Sequence, residues 1–311
     1  MSVLRVTGLR MWLPGALRPV LDGVELSVGE GETVALVGES GSGKSLTSRA
    51  VLGLFPDGAE VEGGVEVAGQ DVLALTPARL RELRRRTVAM IFQDPRAGIN
   101  PLRRIGDFLV EGRPGSRDRA RELVAAVGLE ARVLRQYPHE LSGGMLQRVM
   151  IAGALMGDPK LLLCDEPTTA LDVTTQAEIV ALLGEVRRRF GTGLLFVTHD
   201  LELAAAIADR VHVMYAGRIA ESGPAGTLFS RPRHPYTAAL LAATPRVQAP
   251  LARLATVPGQ PPDLRTELTG CAFAPRCPRA TPQCHDDVPA PLARGEGIVA
   301  CHHSIPGGER A

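Results

Sequence analysis

Aromatic residues make up only 4% of this 311-residue sequence, with one tryptophan, three tyrosines and seven phenylalanines, so its core must be aliphatic. Lysine is scarcer still: Lys44 and Lys160 stand against 33 arginines, which makes a lysine at a chemically demanding position informative. No uncharged apolar run reaches the length of a membrane-spanning helix. The opening Met1-Ser2-Val3-Leu4-Arg5 lacks the basic and apolar regions of a secretory signal, which predicts a cytosolic protein. Net charge is missing too. At +1, with a pI near 7.7, the chain has no general attraction for nucleic acid or anionic membrane, and no nucleic-acid partner is expected. The clusters Arg84-Arg85-Arg86 and Arg187-Arg188-Arg189 lie towards the ends of helix-like segments, where they complement the helix dipole. Finally, the five cysteines lack the two-residue spacing of a zinc ribbon.

What is present centres on Gly38-Glu39-Ser40-Gly41-Ser42-Gly43-Lys44-Ser45, which matches G-x-x-x-x-G-K-[ST] between the strand-like Thr33–Val37 and the helix-like Leu46–Leu54. Glycines let backbone N–H groups curl around phosphates while the following helix presents its positive end. Lys44 can reach the outer phosphates and Ser45 can hold Mg²⁺. Nucleotide binding is therefore expected over residues Gly38 to Leu46.

The rest of the chain alternates strands and helices. Residues 3–10 and 20–28 read as an antiparallel element around a Pro/Gly-rich connection carrying Trp12, which could stack on adenine or serve the core. Val65–Val67 reads as a strand, Thr76-Pro77 as a capped start of a helix, and Thr87–Phe92 as an apolar strand ending at Gln93. Residues 96–137 turn arginine-rich and helical. Leu141-Ser142-Gly143-Gly144 then opens a further helix, capped by Ser142. Leu161–Cys164 is an apolar strand that delivers Asp165 and Glu166 at its carboxyl end. Beside a phosphate loop these assign Asp165 to the Mg²⁺ shell and Glu166 to the attacking water. Gly193–Thr198 ends in His199, and Val211–Tyr215 with Arg218–Glu221 forms a hairpin. Local grounds alone leave Gln93 as a solvated strand end, Ser142 as an ordinary cap and His199 as a structural histidine. The pattern predicts an α/β fold with a mainly parallel sheet.

Taken in order, Gly38–Ser45, Gln93 in Ile91–Pro95, Leu141–Gly144, Asp165-Glu166, Ala170-Leu171-Asp172 and His199 resemble the ATP-binding cassette ATPases. The resemblance spans about residues 1–230. It implies a P-loop NTPase core with an antiparallel β element, an inserted helical subdomain and a small cysteine-rich extension. The implied division is 1–95 for the first part of the core, 96–156 for the helical subdomain with the signature, 157–232 for the second part of the core and 233–311 for the extension. It also implies roles: Glu166, His199 and Gln93 catalytic, Mg²⁺ held by Ser45, Gln93 and Asp165, Trp12 on the adenine, Asp172 in the D-loop, and Ser142, Gly143 and Gly144 acting on the nucleotide of an opposite cassette. Met145 and Leu146 depart from the usual signature but leave those three residues intact.

The remainder narrows the resemblance. His234-Pro235-Tyr236-Thr237, the proline-rich Val257–Leu264 and a tail beginning at Gly270-Cys271 are similar to the ATP-binding subunits of oligopeptide, dipeptide and nickel importers. Peptide import is the expected function. A nickel or other small-solute importer, or an accessory ATPase without transport, is the alternative. Such an importer implies a second ATPase subunit, two transmembrane permease subunits and an extracytoplasmic solute-binding protein, with this chain peripheral on the cytoplasmic face of the membrane. Cys271, Cys277, Cys284 and Cys301 supply four thiolates, which suit zinc or iron–sulfur, with metal-free thiols as the remaining alternative. The resemblance implies a [4Fe–4S] cluster of structural role, with His285, His302 and His303 as neighbours. A DNA-repair or chromosome-organising cassette is a weaker reading, since the sequence has neither a long coiled coil nor a zinc-binding insertion within the core.

Overall fold

The opening alternation becomes two antiparallel strands, β1 (Ser2–Trp12) and β2 (Leu21–Gly29). The chain then enters β3 (Thr33–Val37), passes the phosphate-loop sequence and continues as α1 (Lys44–Val51). β4 (Glu60–Val67) and the short β5 (Gln70–Asp71) return to the first layer, giving the order β2-β1-β4-β5. The strand expected at Val65–Val67 is thus the end of a longer one. Thr76 Oγ1 accepts a 3.4 Å hydrogen bond from the Arg79 N–H, and Pro77 sits in the first turn of α2 (Pro77–Arg86), where a missing N–H costs nothing. β6 (Val88–Ile91) follows.

In the helical stretch, α3 (Ile105–Val110), α4 (Arg117–Ala126) and α5 (Gly143–Leu155) gather around Leu109, Leu123, Val149 and Ile151. The chain re-enters the sheet at β7 (Leu161–Asp165), crosses over through α6 (Val173–Phe190) to β8 (Gly193–Thr198), and passes α7 (Leu201–Ile207) to β9 (Arg210–Tyr215). β10 (Arg218–Pro224) turns back antiparallel on β9, followed by α8 (Ala225–Ser230) and α9 (Pro235–Ala243). Beyond the proline-rich stretch come α10 (Pro282–Asp286), β11 (Leu292–Arg294) and β12 (Gly297–Val299). This computed structural model describes residues 2–111, 117–169, 171–244, 257–263, 265 and 267–306; Ala170 and Leu264 lie outside them.

The main sheet runs β11-β12-β10-β9-β3-β8-β7-β6. Its centre, from β9 to β6, is parallel. Every residue of β3, β7 and β8 is buried, which is why these segments read as unbroken apolar runs: both faces of a central parallel strand are covered. One face packs against the antiparallel layer through Leu36, Leu163, Leu195 and Val197. The other packs against α5 and α6 through Leu162, Leu194 and Phe196. Burying each such leucine contributes roughly 2 kcal/mol, so the sheet holds the carboxyl ends of its strands on a rigid base. A third cluster joins Val37, Val213 and Tyr215 to Tyr236 and Phe273 of the C-terminal extension. The extension also supplies β12, which pairs with β10 and lengthens the core sheet.

Candidate nucleotide site

The phosphate loop leaves the carboxyl end of β3 with Gly38 at φ 152° and Gly43 at φ 107°. A Cβ on Gly38 would lie 2.2 Å from the Met214 carbonyl oxygen, and one on Gly43 would lie 2.7 Å from Leu21 Cδ2. Both space and backbone therefore demand glycine. Lys44, only 4% exposed, donates from Nζ to the carbonyl oxygens of Gly38 and Glu39, each at 2.9 Å. Burial pushes its pKa down, opposed by Glu166, Asp165 and Glu39. An ammonium held by two neutral carbonyls is poised to exchange them for anionic phosphate oxygens, which are stronger acceptors.

Ser45, at the start of α1, donates from Oγ to Asp165 Oδ1 at 2.8 Å. Burial pushes the Asp165 carboxyl up, with the Ser45 bond acting against it. A buried carboxylate beside a hydroxyl is the donor set for a hard cation. Glu166, the next residue, takes φ 47°, an unusual backbone for a side chain of its size, and its N–H donates to the Val197 carbonyl at 2.9 Å. That bond fixes the kink, which turns the carboxylate out of the sheet. Its Oε2 accepts from Gln93 Nε2 at 3.3 Å and Thr169 Oγ1 at 3.0 Å, and lies 3.3 Å from His199 Nδ1. Three expected residues from three strand ends thus meet at one oxygen. Thr169 was not foreseen; its only sequence signal is its place three residues after Glu166 in a Pro-Thr-Thr turn.

The signature segment forms a different patch. Ser142 Oγ accepts from the Met145 N–H at 3.3 Å and caps α5. A Cβ on Gly144 would come within 2.7 Å of Thr175 Cγ2. Thr175 in turn donates from N and Oγ1 to Asp172, at 3.0 and 2.7 Å, and these bonds hold the Asp172 carboxyl below its usual range. Gly143, Gly144 and Asp172 therefore share one neighbourhood, with Ser142 exposed at its rim. Trp12 ends β1, half-buried and opposite Glu60.

Two further residues attach to the loop from the C-terminal extension. Tyr236 Oη accepts from the Glu39 N–H at 2.9 Å, and Arg276 grips the Glu39 carboxylate with both Nη atoms. The side chains of Cys271, Cys277, Cys284 and Cys301 line one small pocket with His302 and His303. Burial pushes Cys271 and Cys277 up, and Cys301 up to about 11, which disfavours their thiolate forms until a ligand displaces the protons. Among the described residues no group of three or more His, Cys, Asp or Glu is arranged to hold a metal ion, and no helix is long and apolar enough to cross a membrane. The expected cluster thus finds a shared pocket rather than ready ligand geometry.

Residues 21–169 match the ABC transporter family, and residues 220–284 match the C-terminal region of oligopeptide/dipeptide transporters. The chain is 44% identical over 285 residues to the oligopeptide transport ATP-binding protein OppD of Salmonella typhimurium, covering 88% of this chain and 85% of that one. For OppD of Escherichia coli the identity is 43% over 316 residues, with 98% and 94% covered; for AppD of Bacillus subtilis it is 42% over 296 residues, with 91% and 90% covered. Among solved structures, the dimeric cassette MJ0796 in a post-hydrolysis state with ADP and phosphate superposes with a TM-score of 0.63 at 29% identity, over 71% of this chain and 98% of that one. The cbiO1 protein of Clostridium perfringens, part of the cbiONQ transporter complex, gives 0.66 at 26% identity, over 73% and 90%.

Proposed function

The chain belongs to the ATP-binding cassette ATPases, and from that premise we propose that it hydrolyses ATP to drive a peptide importer. The observation that carries the reading is the meeting of Gln93, Thr169 and His199 at Glu166 Oε2, next to the Lys44, Ser45 and Asp165 set. Residues Gly38 to Leu46 cradle the triphosphate, with Trp12 against the adenine. Ser45, Asp165 and Gln93 would hold Mg²⁺, which when bound screens phosphate charge. Glu166 takes a proton from water, His199 faces the γ-phosphate, and Gln93 with Thr169 keeps the Glu166 carboxylate aimed. Ser142, Gly143 and Gly144, with Asp172 behind them, close on the nucleotide of a second cassette. Each subunit then completes its neighbour's site.

The peptide assignment rests on the match of residues 220–284 and on relatives named for oligopeptide transport. It brings with it a second ATPase subunit, two permease subunits, a solute-binding protein and a seat on the cytoplasmic face of the membrane. In the extension, Cys271, Cys277, Cys284 and Cys301 would hold a [4Fe–4S] cluster; four thiols around one pocket suit thiophilic iron. When bound, such a cluster would cross-link a segment poor in regular structure. The test is reconstitution of the complete transporter in liposomes, with ATP inside and labelled oligopeptide or Ni²⁺ outside. Peptide uptake that stops with Glu166→Gln is expected; Ni²⁺ uptake alone, or ATP turnover without any uptake, would overturn the peptide reading.

A further inference from the structure

Glu39 is the second residue of the phosphate loop, and each of its polar groups is engaged. Its carbonyl accepts from Lys44 Nζ at 2.9 Å and from the Ser42 N–H at 3.3 Å, both within the loop. Its other groups are held from the C-terminal extension. The N–H donates to Tyr236 Oη at 2.9 Å, and the carboxylate receives Arg276 Nη1 at 2.7 Å and Nη2 at 2.9 Å. Arg276 is 237 residues away in sequence and ends the one-turn helix Ala274–Arg276 between Cys271 and Cys277.

The arginine is saturated. Besides Glu39, Nη1 donates to Tyr215 Oη at 3.1 Å, Nη2 to the Val257 carbonyl at 3.3 Å and Nε to the Pro258 carbonyl at 2.7 Å. All five N–H groups of the guanidinium are thereby used, and its plane lies near the rings of Tyr215 and Phe273. Its side chain is 4% exposed and that of Glu39 is 24% exposed. A fork held from behind by two backbone carbonyls and a tyrosine has one geometry in which to meet a carboxylate. Shape is thus transmitted from the extension to the loop backbone, one residue from the Gly38 carbonyl that Lys44 also uses.

We propose that Arg276, with Tyr236, is a positioning residue for the nucleotide phosphates: it acts through Glu39 to hold the loop open, so the C-terminal extension sets ATP affinity. The proposal rests on the reading of Gly38–Ser45 as the ATP phosphate site. It also differs from a purely structural role for the extension, because the turn that lines the thiol pocket with Phe273, Ala274 and Cys277 carries Arg276 towards the loop.

The test is equilibrium binding of ATP with Mg²⁺ to the full chain, together with KM and kcat. Arg276→Ala should weaken ATP about tenfold and raise KM more than it lowers kcat, and Arg276→Lys should restore part of the loss. Tyr236→Phe, which keeps the ring and removes only the acceptor on the Glu39 N–H, should weaken ATP about threefold. Glu39→Ala added to Arg276→Ala should cost little more than either alone, because both break one contact. Native ATP affinity in folded Arg276→Ala, or losses that add in the double variant, overturns the proposal. If Arg276→Ala does not fold, native affinity in both Arg276→Lys and Tyr236→Phe overturns it. Lys44→Ala separates the two levels: if that variant keeps ATP, the site reading fails, whereas if it loses ATP while the Arg276 variants bind normally, only the positioning role fails.

Discussion

The phosphate loop and the thiol pocket are built in opposite ways. The loop is eight consecutive residues whose course follows from three positive-φ glycines, Gly38, Gly41 and Gly43, and the helix they enter. The pocket draws on Cys284 in the five-residue α10 and on Cys271, Cys277 and Cys301 outside any helix, and Phe273 beside them packs against Tyr215 and Tyr236. A site made from contiguous chain carries its geometry with it. A site made from scattered chain borrows its geometry from whatever it packs against.

The largest effect should come from breaking the local site. Glu166→Gln preserves side-chain shape but removes the base, so turnover should fall by about 10²–10⁴ while ATP binding survives and a closed dimer accumulates. Lys44→Ala should instead lose ATP itself, by about a hundredfold, from deletion of the charge-assisted phosphate contact. Near-normal hydrolysis in the first, or tight ATP in the second, breaks the local half of the comparison. Calorimetry and a phosphate-release assay read both.

The scattered site should respond through stability. Cys277→Ser should bleach the visible absorption of anaerobically purified protein and lower Tm by about 3–6 °C, whereas Lys44→Ala should change Tm less. Colourless native protein with one zinc per chain would replace iron but keep a metal. Freely alkylated thiols with no metal would remove the site altogether.

A finer probe is pH, because each region has a buried neutral histidine. Burial pushes His212 of β9 down to about 3 and His234, at the cap of α9, down to about 4. His234 Nδ1 accepts from the Tyr236 N–H at 3.0 Å, so a proton there would break the cap. Unfolded histidines titrate near 6.5, so below that value the unfolded chain takes up protons that the native chain refuses. Stability is therefore fully present above about pH 6.5 and is lost as pH falls towards 4, by about 1.4 kcal/mol per unit for each histidine. His212→Leu removes one such proton without losing a hydrogen bond, since neither ring nitrogen has a partner. The slope of stability against pH should flatten by about one proton; parallel slopes for the two proteins would exclude His212 as a source.

Locality also explains what could be read from the chain. Strands β3, β7 and β8 announce themselves because covered parallel strands are near-continuously apolar, and β6 reads apolar as well. The capped starts of α2 and α5 are visible for the same local reason: Thr76 and Ser142 bond to N–H groups three residues on. Glu166, Gln93 and His199 were legible because each follows the end of an apolar strand, Gln93 and His199 only once the family resemblance gave those ends a role, whereas Thr169 sits in the turn beyond β7 and carries no such mark. By contrast, β11 and β12 are three residues each, with Leu292 and Ile298 exposed, so neither period nor hydrophobicity marks them. The grip of Arg276 on Glu39 joins residues that share no local pattern. An arginine in a chain with 33 of them carries no signal of its own.

The pairing of β10 with β12 bears on how this protein avoids sticking to itself. Without the extension, β10 would be a bare outer strand offering unpaired N–H and C=O groups to any neighbour, the usual seed of edge-to-edge aggregation. Here Glu221 and Ser222 are matched with Val299 and Ile298, and the Ala300 N–H donates to the Ala220 carbonyl at 2.9 Å. The fit is close enough that a Cβ on Gly297 would fall 2.1 Å from the Ser222 oxygen. A chain cut after α8 should therefore grow into large particles by light scattering under conditions where the full chain stays small, and Gly297→Ala should shift it the same way to a lesser degree. The extension acts here as a selvedge, finishing the edge of the sheet.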